Sequence, residues 1–270
     1  MVLAFISEVA QPPRPLSTIA TARSVVRMVH EMFLMPSPTD SMLSTYFVRG
    51  LLDDRVTRPI RHRPVFDFQF LVRSLLYEAK LISQCSHLID LRDRTLLLAA
   101  MVLFARPSDL TRVLCSSVSA TERGATAMLW RSKTDHDRNG TEVLLPFDEN
   151  EAISAGHFAL ALKAALPPDA EYLFCDLRTK KPLAASTISG RITAQLRSFG
   201  IQCKAGSIRP SAVTYAAMHD ADMYRMAKVG RWKQASVMMQ YYDRADNAAT
   251  YLVRFRSLRS LLFSLLLFLI

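Results

Sequence analysis

Apolar residues recur at helical spacing through most of this chain, and this pattern limits the fold to a mainly helical class. Two strand-like segments interrupt it, Thr126 to Trp130 and Thr141 to Leu145, and a turn-rich loop that ends in Asn139-Gly140 joins them. Tyr172 to Phe174 predicts one more short strand. The sequence therefore predicts an α+β domain, mainly helical, with one small antiparallel sheet. The helical segments cover about residues 65–81, 92–104, 151–165, 186–199, 210–219, 222–229 and 234–256.

The N-terminal part of the chain has its own organisation. The proline-bearing residues 1–14 predict an irregular lead, and Ser17 is a candidate cap for a helix with Ile19, Val25, Val26, Val29 and Phe33 at near-helical spacing. Residues 36–40 break this helix, and Met42 to Leu52 predicts a shorter one. We expect a helical domain at 1–54, a basic linker at 55–65, the main domain at 66–256 and an apolar tail at 257–270.

Composition narrows the class of partner. The net charge of +10 suits a polyanion such as DNA, although many basic proteins bind none. The chain has no Cys-x-x-Cys pair and no glycine-rich phosphate loop, so neither a zinc site nor a nucleotide cofactor is expected. Its scattered cysteines predict buried thiols in a reducing compartment.

The C-terminal segment from Ser260 to Ile270 is uncharged and almost wholly apolar. It is about half as long as a membrane-spanning helix, which needs roughly 20 residues. A helix that packs on another surface, a tail that dips into a membrane and a non-native end all remain open. We expect no membrane partner for the domain itself.

Five residues stand in an order that suits attack on a DNA phosphodiester. A tyrosine can form a covalent phosphotyrosine, and cations must favour its phenolate. Two arginines can clamp the non-bridging oxygens, a lysine on a hairpin can protonate the leaving 5′ oxygen, and an indole N–H can donate to the phosphate. The candidates for these roles are Tyr241, Arg106, Arg209, Lys133 and Trp232.

Each candidate also has an ordinary structural explanation. Arg106 can pair with Asp109, a lysine in a turn is usually solvated, and Arg209 before Pro210 can be a charge at a helix start. Trp232 and Tyr241 can be packing aromatics. Only the order of the whole set favours function.

The segments around these residues resemble the tyrosine recombinases, the phage-integrase family. Residues 106–110, Arg-Pro-Ser-Asp-Leu, look like the first box of the family with Asp for Glu, and Lys133 stands in the usual Lys-Thr-Asp context. Arg209 matches the end of His-x-x-Arg, and Trp232 occupies the place of a second histidine in some members. Tyr241 follows Trp232 by nine positions, the spacing of the family's nucleophile.

The resemblance implies the recombinase catalytic fold over residues 66–256, preceded by a partial, SAM-like helical domain that lacks earlier helices, as in a decayed mobile element. It also implies site-specific breaking and rejoining of DNA, recombination or integration, by a tetramer on double-stranded DNA. The protein would be intracellular, in a nucleus or nucleoid. Gly206 departs from the pattern because it stands where the family has the histidine of His-x-x-Arg. A recombinase-derived DNA-binding protein with impaired catalysis therefore remains the alternative.

Overall fold

The computed structural model describes residues 2–11, 16–53, 64–78, 87–130 and 140–242. The chain divides into two compact units, Met1–Arg61 and His62–Ile270. This division falls within residues 55–65, most of which lie outside the described ranges, so the linker stays a prediction. Within the described residues, no helix is both long and apolar enough to cross a membrane.

The described part of the first unit contains three α-helices, α1 (Val2–Val9), α2 (Leu16–Met32) and α3 (Met42–Asp53). The expectation of an irregular lead was wrong for residues 2–9, which form α1 with Ile6 and Val9 buried on one face. Helix α2 begins at Leu16, so Ser17 is not its cap. A small core joins these helices through Ile6, Ala10, Ile19 and Val48.

Seven helices and three strands form the described part of the second unit. They are α4 (Phe68–Glu78), α5 (Leu88–Val102), β1 (Ser119–Thr121), β2 (Gly124–Leu129), β3 (Thr141–Pro146), α6 (Ala155–Ala165), α7 (Ala185–Ser198), α8 (Ile208–Ala217), α9 (Met223–Val229) and α10 (Ala235–Tyr242). The predicted α+β class is thus confirmed, and the helical periodicity located helices α4 to α9 and the start of α10 to within a few residues. The predicted helix beyond residue 242 lies outside the described residues.

Helix α5 is the centre of the second unit. Every residue from Leu96 to Met101 is buried, because α6, α7, α8 and β3 surround the helix. An amphipathic stripe would suit a surface helix, whereas this all-round apolar surface suits a central one. The carboxyl end of α5 consequently lies deep in the unit, next to α8.

The sheet is antiparallel in the order β1-β2-β3, and α6 covers it. Strands β2 and β3 pair from Gly124 opposite Pro146 to Leu129 opposite Thr141, as the predicted hairpin requires. The three-residue strand β1 has no sequence signal because all its residues are exposed. The predicted strand at Tyr172 to Phe174 was wrong, since Tyr172 makes only an isolated bridge to Leu114.

Two helical glycines test how closely α6 packs on the sheet. A Cβ at Gly156 would lie 2.6 Å from the Leu145 carbonyl oxygen, whereas a Cβ at Gly190 of α7 meets nothing within 4 Å. We expect Gly156→Ala to cost about 1–3 kcal/mol through overpacking. Gly190→Ala should instead stabilise the protein by roughly 0.5–1 kcal/mol, because alanine restricts the unfolded chain. Urea unfolding of the two variants measures the difference, and equal stabilities would contradict the packing of α6 on β3.

Candidate functional site

Arg209 joins the ends of two helices. It is the second residue of α8 and is only 3% exposed. Its Nη1 donates to the Phe104 carbonyl at 2.8 Å, just beyond α5, and its Nη2 donates to the Gly230 carbonyl at 2.6 Å, at the end of α9. Carbonyl groups at a helix C-terminus lack intrahelical donors and carry partial negative charge, so they suit a buried cation.

The ends of α5 and α9 have the same geometry. In each, the chain turns through a Schellman motif, with bonds from the Ala105 N–H to the Ala100 carbonyl and from the Trp232 N–H to the Ala227 carbonyl. The residue in the left-handed region is not glycine in either turn. Phe104 has φ 46° and Arg231 has φ 57°. Such residues are costly by about 1–2 kcal/mol each, so the surrounding contacts must hold the turns.

Trp232 covers one face of Arg209. The Arg209 guanidinium carbon lies 3.7 Å from the centre of the indole ring, and Phe104 lies beside the same ring with centroids 6.2 Å apart. This stacking contributes a cation–π attraction. Gly230 is required for space, because a Cβ there would lie 1.7 Å from Cζ3 of Trp232.

Asp109 is the buried carboxylate of the site. Its Oδ2 accepts the backbone N–H of Arg106 at 3.0 Å and Nη2 of Arg231 at 3.0 Å. Asp109 makes an ion pair with Arg231, whereas the hydrogen bond of Arg106 to this carboxylate comes from its backbone N–H. The pKa of the Arg231 guanidinium lies below its usual value, chiefly because the group is buried. The carboxylate of Asp109 opposes this lowering, and the positive charge of Arg106 adds to it.

The structure describes some of the five candidate residues fully and others in part or not at all. Arg209 and Trp232 are in contact, and the half-buried Arg106 follows Phe104, whose carbonyl accepts a hydrogen bond from Arg209, by two positions. Tyr241 lies on α10, which packs against α8 and α9, but its side chain is outside the described set. Lys133 lies outside the described residues altogether. Arg231 was missed by the sequence reasoning, and its place between Gly230 and Trp232 was the only signal.

Gly206 lies in a single 3-10 turn, Ala205–Ser207, directly before α8. The Ala205 N–H donates to Thr193 Oγ1 of α7 at 3.0 Å, which fixes this turn. Positive φ among the described glycines occurs at Gly140 and Gly200, so the backbone at Gly206 is open to other residues. His219 does not replace the missing imidazole, because its ring stacks on Tyr215 with centroids 4.1 Å apart.

The site has the donor groups for an anion rather than for a metal. Arg231 pairs with the carboxylate of Asp109, the charge of Arg106 acts on Arg231, and Arg209 donates to the carbonyl of the adjacent Gly230. Guanidinium groups bind phosphate in a fork geometry. Within the described ranges, no group of three or more His, Cys, Asp or Glu residues could hold a metal ion.

No protein-family model matches this sequence, and no curated protein matches it. Solved structures do match its fold. A lambda integrase dimer bound to a COC′ core site has a TM-score of 0.54 at 15% identity, over 96% of this chain and 65% of that chain. XerA recombinase has 0.53 at 17% identity, over 95% and 99%. XerH bound to a palindromic difH substrate, in a post-cleavage complex, has 0.57 at 13% identity, over 93% and 70%.

These similarities show the fold. The chain has the tyrosine-recombinase, integrase-like fold that the sequence motifs predicted. It spans 65% of the length of the lambda integrase chain, and its identity to all three structures is 17% or less. The SAM-like character of the N-terminal unit stays a prediction.

The buried pair of Asp109 and Arg231 can be compared with an exposed pair, Asp169 and Lys180. We expect Asp109→Ala to lower the free energy of unfolding by about 3–5 kcal/mol, because it leaves a buried guanidinium without its carboxylate. Asp169→Ala should cost about 0–1 kcal/mol, since water screens that pair. Chemical denaturation of both variants measures the two losses. Similar small losses would mean that Arg231 reaches solvent when Asp109 is absent.

Proposed function

We propose that this protein is a site-specific DNA recombinase or integrase that cuts and rejoins DNA strands through a 3′-phosphotyrosine at Tyr241. The observation that supports the proposal is the stacking of Trp232 on Arg209 at the junction of α5, α8 and α9, with Arg106 two positions beyond Phe104 and the helix of Tyr241 packed on α8 and α9. The fold that it shares with DNA-bound lambda integrase and XerH adds support.

In this proposal the phenolate of Tyr241 attacks the scissile phosphorus, and the bond to the 5′ oxygen breaks. Arg106 and Arg209 neutralise the non-bridging oxygens, and Lys133 gives a proton to the departing 5′ oxygen. Attack by a 5′ hydroxyl on the phosphotyrosine then rejoins a strand and releases the tyrosine. The bond energy is conserved throughout, so the reaction needs no nucleotide or metal cofactor.

The geometry of Arg209 favours a supporting role beside Arg106. Arg209 donates to two backbone carbonyls and is nearly inaccessible, whereas Arg106 is half-buried. We therefore assign first contact with the phosphate to Arg106. Arg209 contributes its positive charge from a buried position, and its two bonds to carbonyls fix the direction of its guanidinium before DNA binds. Such preorganisation avoids reorganisation during the reaction.

The partner in this proposal is double-stranded DNA, bound by a homo-tetramer as the family resemblance implies. The net charge of +10 favours binding to phosphates. Integration of a mobile element is the form of recombination that the resemblance suggests.

A second function, DNA binding without strand cleavage, is favoured by one observation. Gly206 provides no proton acceptor at the start of α8, and the ring of His219 is engaged with Tyr215. An imidazole that accepts the phenol proton contributes typically 10²–10⁴-fold in rate. Without it, a protein of this fold can still hold DNA while reacting slowly or not at all.

The neighbouring tyrosines Tyr241 and Tyr242 provide a matched test of the nucleophile. On a nicked suicide substrate, the parent and Tyr242→Phe should form a covalent protein–DNA adduct, and Tyr241→Phe should form none. Both variants should bind duplex DNA like the parent, because a phenol hydroxyl adds little to phosphate contacts. Denaturing gels measure the adduct, and binding at several salt concentrations measures the affinity. Binding without adduct in the parent supports the second function, and affinity that does not fall with salt contradicts both.

Gly206→His restores an imidazole at the start of α8, and Gly206→Ala is its control. Gly206 is not among the residues with positive φ, so neither substitution requires a left-handed backbone at this turn. We expect Gly206→His to raise the rate of adduct formation, up to about 10²–10⁴-fold, because the imidazole accepts the phenol proton. Gly206→Ala should leave the rate near that of the parent. Thermal melting first establishes that both variants fold. A folded Gly206→His protein without faster adduct formation would show that the missing histidine does not limit the reaction.

A further inference from the structure

Arg231 combines two costly features in one residue. Its side chain is 7% exposed and carries a charge, and its backbone has φ 57°, where glycine is the least strained residue. Helix α7 ends in the same kind of turn with a glycine, Gly200, at φ 78°. The arginine at the end of α9 therefore needs an explanation other than the turn itself.

The contacts of Arg231 complete a closed ring of interactions. Arg209 donates to the carbonyls of Phe104 and Gly230, which belong to the two turns. Asp109 also connects the two turns, because it accepts the backbone N–H of Arg106, which follows the turn after α5, and Nη2 of Arg231. Loss of the Arg231 side chain removes the bond from Asp109 to the turn after α9. The bond from Arg209 to the Gly230 carbonyl of that turn remains.

The residue next to Arg231 is the one that covers Arg209. Trp232 stacks at 3.7 Å from the guanidinium, and its ring also lies directly on Gly230. Any rotation of the turn at Arg231 therefore moves the indole away from Arg209. From this geometry we infer that Arg231 is a positioning residue: through Asp109 it holds the turn after α9, and so it keeps Trp232 stacked on Arg209, whose direction the carbonyls of Phe104 and Gly230 fix.

Direct phosphate binding is a weaker explanation of Arg231. Its Nη2 is engaged by Asp109, and the side chain is almost wholly buried. Lys233, two residues later, is exposed and is better placed for a solvent-facing anion. The purpose of the positioning rests on the proposed function, whereas the positioning itself does not.

The fluorescence of the Trp232 indole depends on its exposure to solvent and can therefore report a change in its position. Trp130 is the only other tryptophan of the chain, so Trp130→Phe in the full-length protein leaves one emitter. We expect Arg231→Gly to shift the Trp232 emission to the red and to increase its quenching by acrylamide, although glycine relieves the strain of the turn. Gly230→Ala, which displaces the ring by collision, is the positive control.

Two further variants separate charge from position. Arg225→Ala removes an exposed guanidinium from the same helix, α9, and should leave the emission of Trp232 unchanged. Asp109→Asn should reproduce the effect of Arg231→Gly, because it removes the charge of the same pair. If Arg231→Gly fails to fold, Arg231→Met together with Asp109→Leu removes both buried charges and should fold, with the indole again more exposed.

Adduct formation supplies the functional readout. At saturating DNA, Arg231→Gly should form the covalent adduct more slowly than Arg225→Ala, while both bind duplex DNA equally, since each loses one positive charge. A greater loss of affinity in Arg231→Gly would assign Arg231 to phosphate binding and overturn the inference. Unchanged quenching of Trp232 in a folded Arg231→Gly protein would also overturn it. If the parent forms no adduct, the proposed enzyme function fails, and the quenching result still decides the inference.

Discussion

The guanidinium of Arg209 bridges the carbonyl groups of Phe104 and Gly230, which lie 105 and 21 positions away from it along the chain. These two bonds join the ends of α5 and α9 at the start of α8. Phe104 and Arg231 have strained left-handed backbones. These backbones persist because hydrogen bonds from Arg209 and to Asp109 hold the turns that contain them. The positions of Arg106 and Trp232 both follow from these turns, so the site depends on one buried side chain.

Electrostatics explains why the site suits an anion. Three arginines act in this region, because Arg231 pairs with Asp109, the charge of Arg106 acts on Arg231, and Arg209 donates to the carbonyl of the adjacent Gly230. The partial negative charges of two helix ends offset part of the repulsion. A phosphate would offset the remainder, which is the physical link between this geometry and DNA as the proposed partner. Removal of one partner from the pair of Asp109 and Arg231 should lower the free energy of unfolding strongly, because it leaves a buried charge without its counter-ion.

The arrangement also separates binding from proton transfer. Cations for a phosphate are present among the described residues, whereas the turn at Gly206 carries no proton acceptor and His219 stacks on Tyr215. The two proposed functions differ in this one step. The fold, shared with recombinases at 17% identity or less, is compatible with either, because the packing around α5 does not depend on the group that accepts the proton.

Local patterns in the sequence determined the helices of the second unit, the hairpin of β2 and β3, and the order of the candidate residues, because periodicity and turn chemistry act between near neighbours. They failed at α1, where the prolines nearby predicted an irregular segment although a short helix buries Ile6 and Val9. They failed also at Tyr172 to Phe174, where Tyr172 forms an isolated bridge instead of a strand. Only the tertiary structure decided that Asp109 pairs with Arg231 and that Arg209 lies buried beneath Trp232. Asp109 and Arg231 are 122 positions apart, and their pairing arises from the burial of two helix ends at one place, which no local pattern encodes.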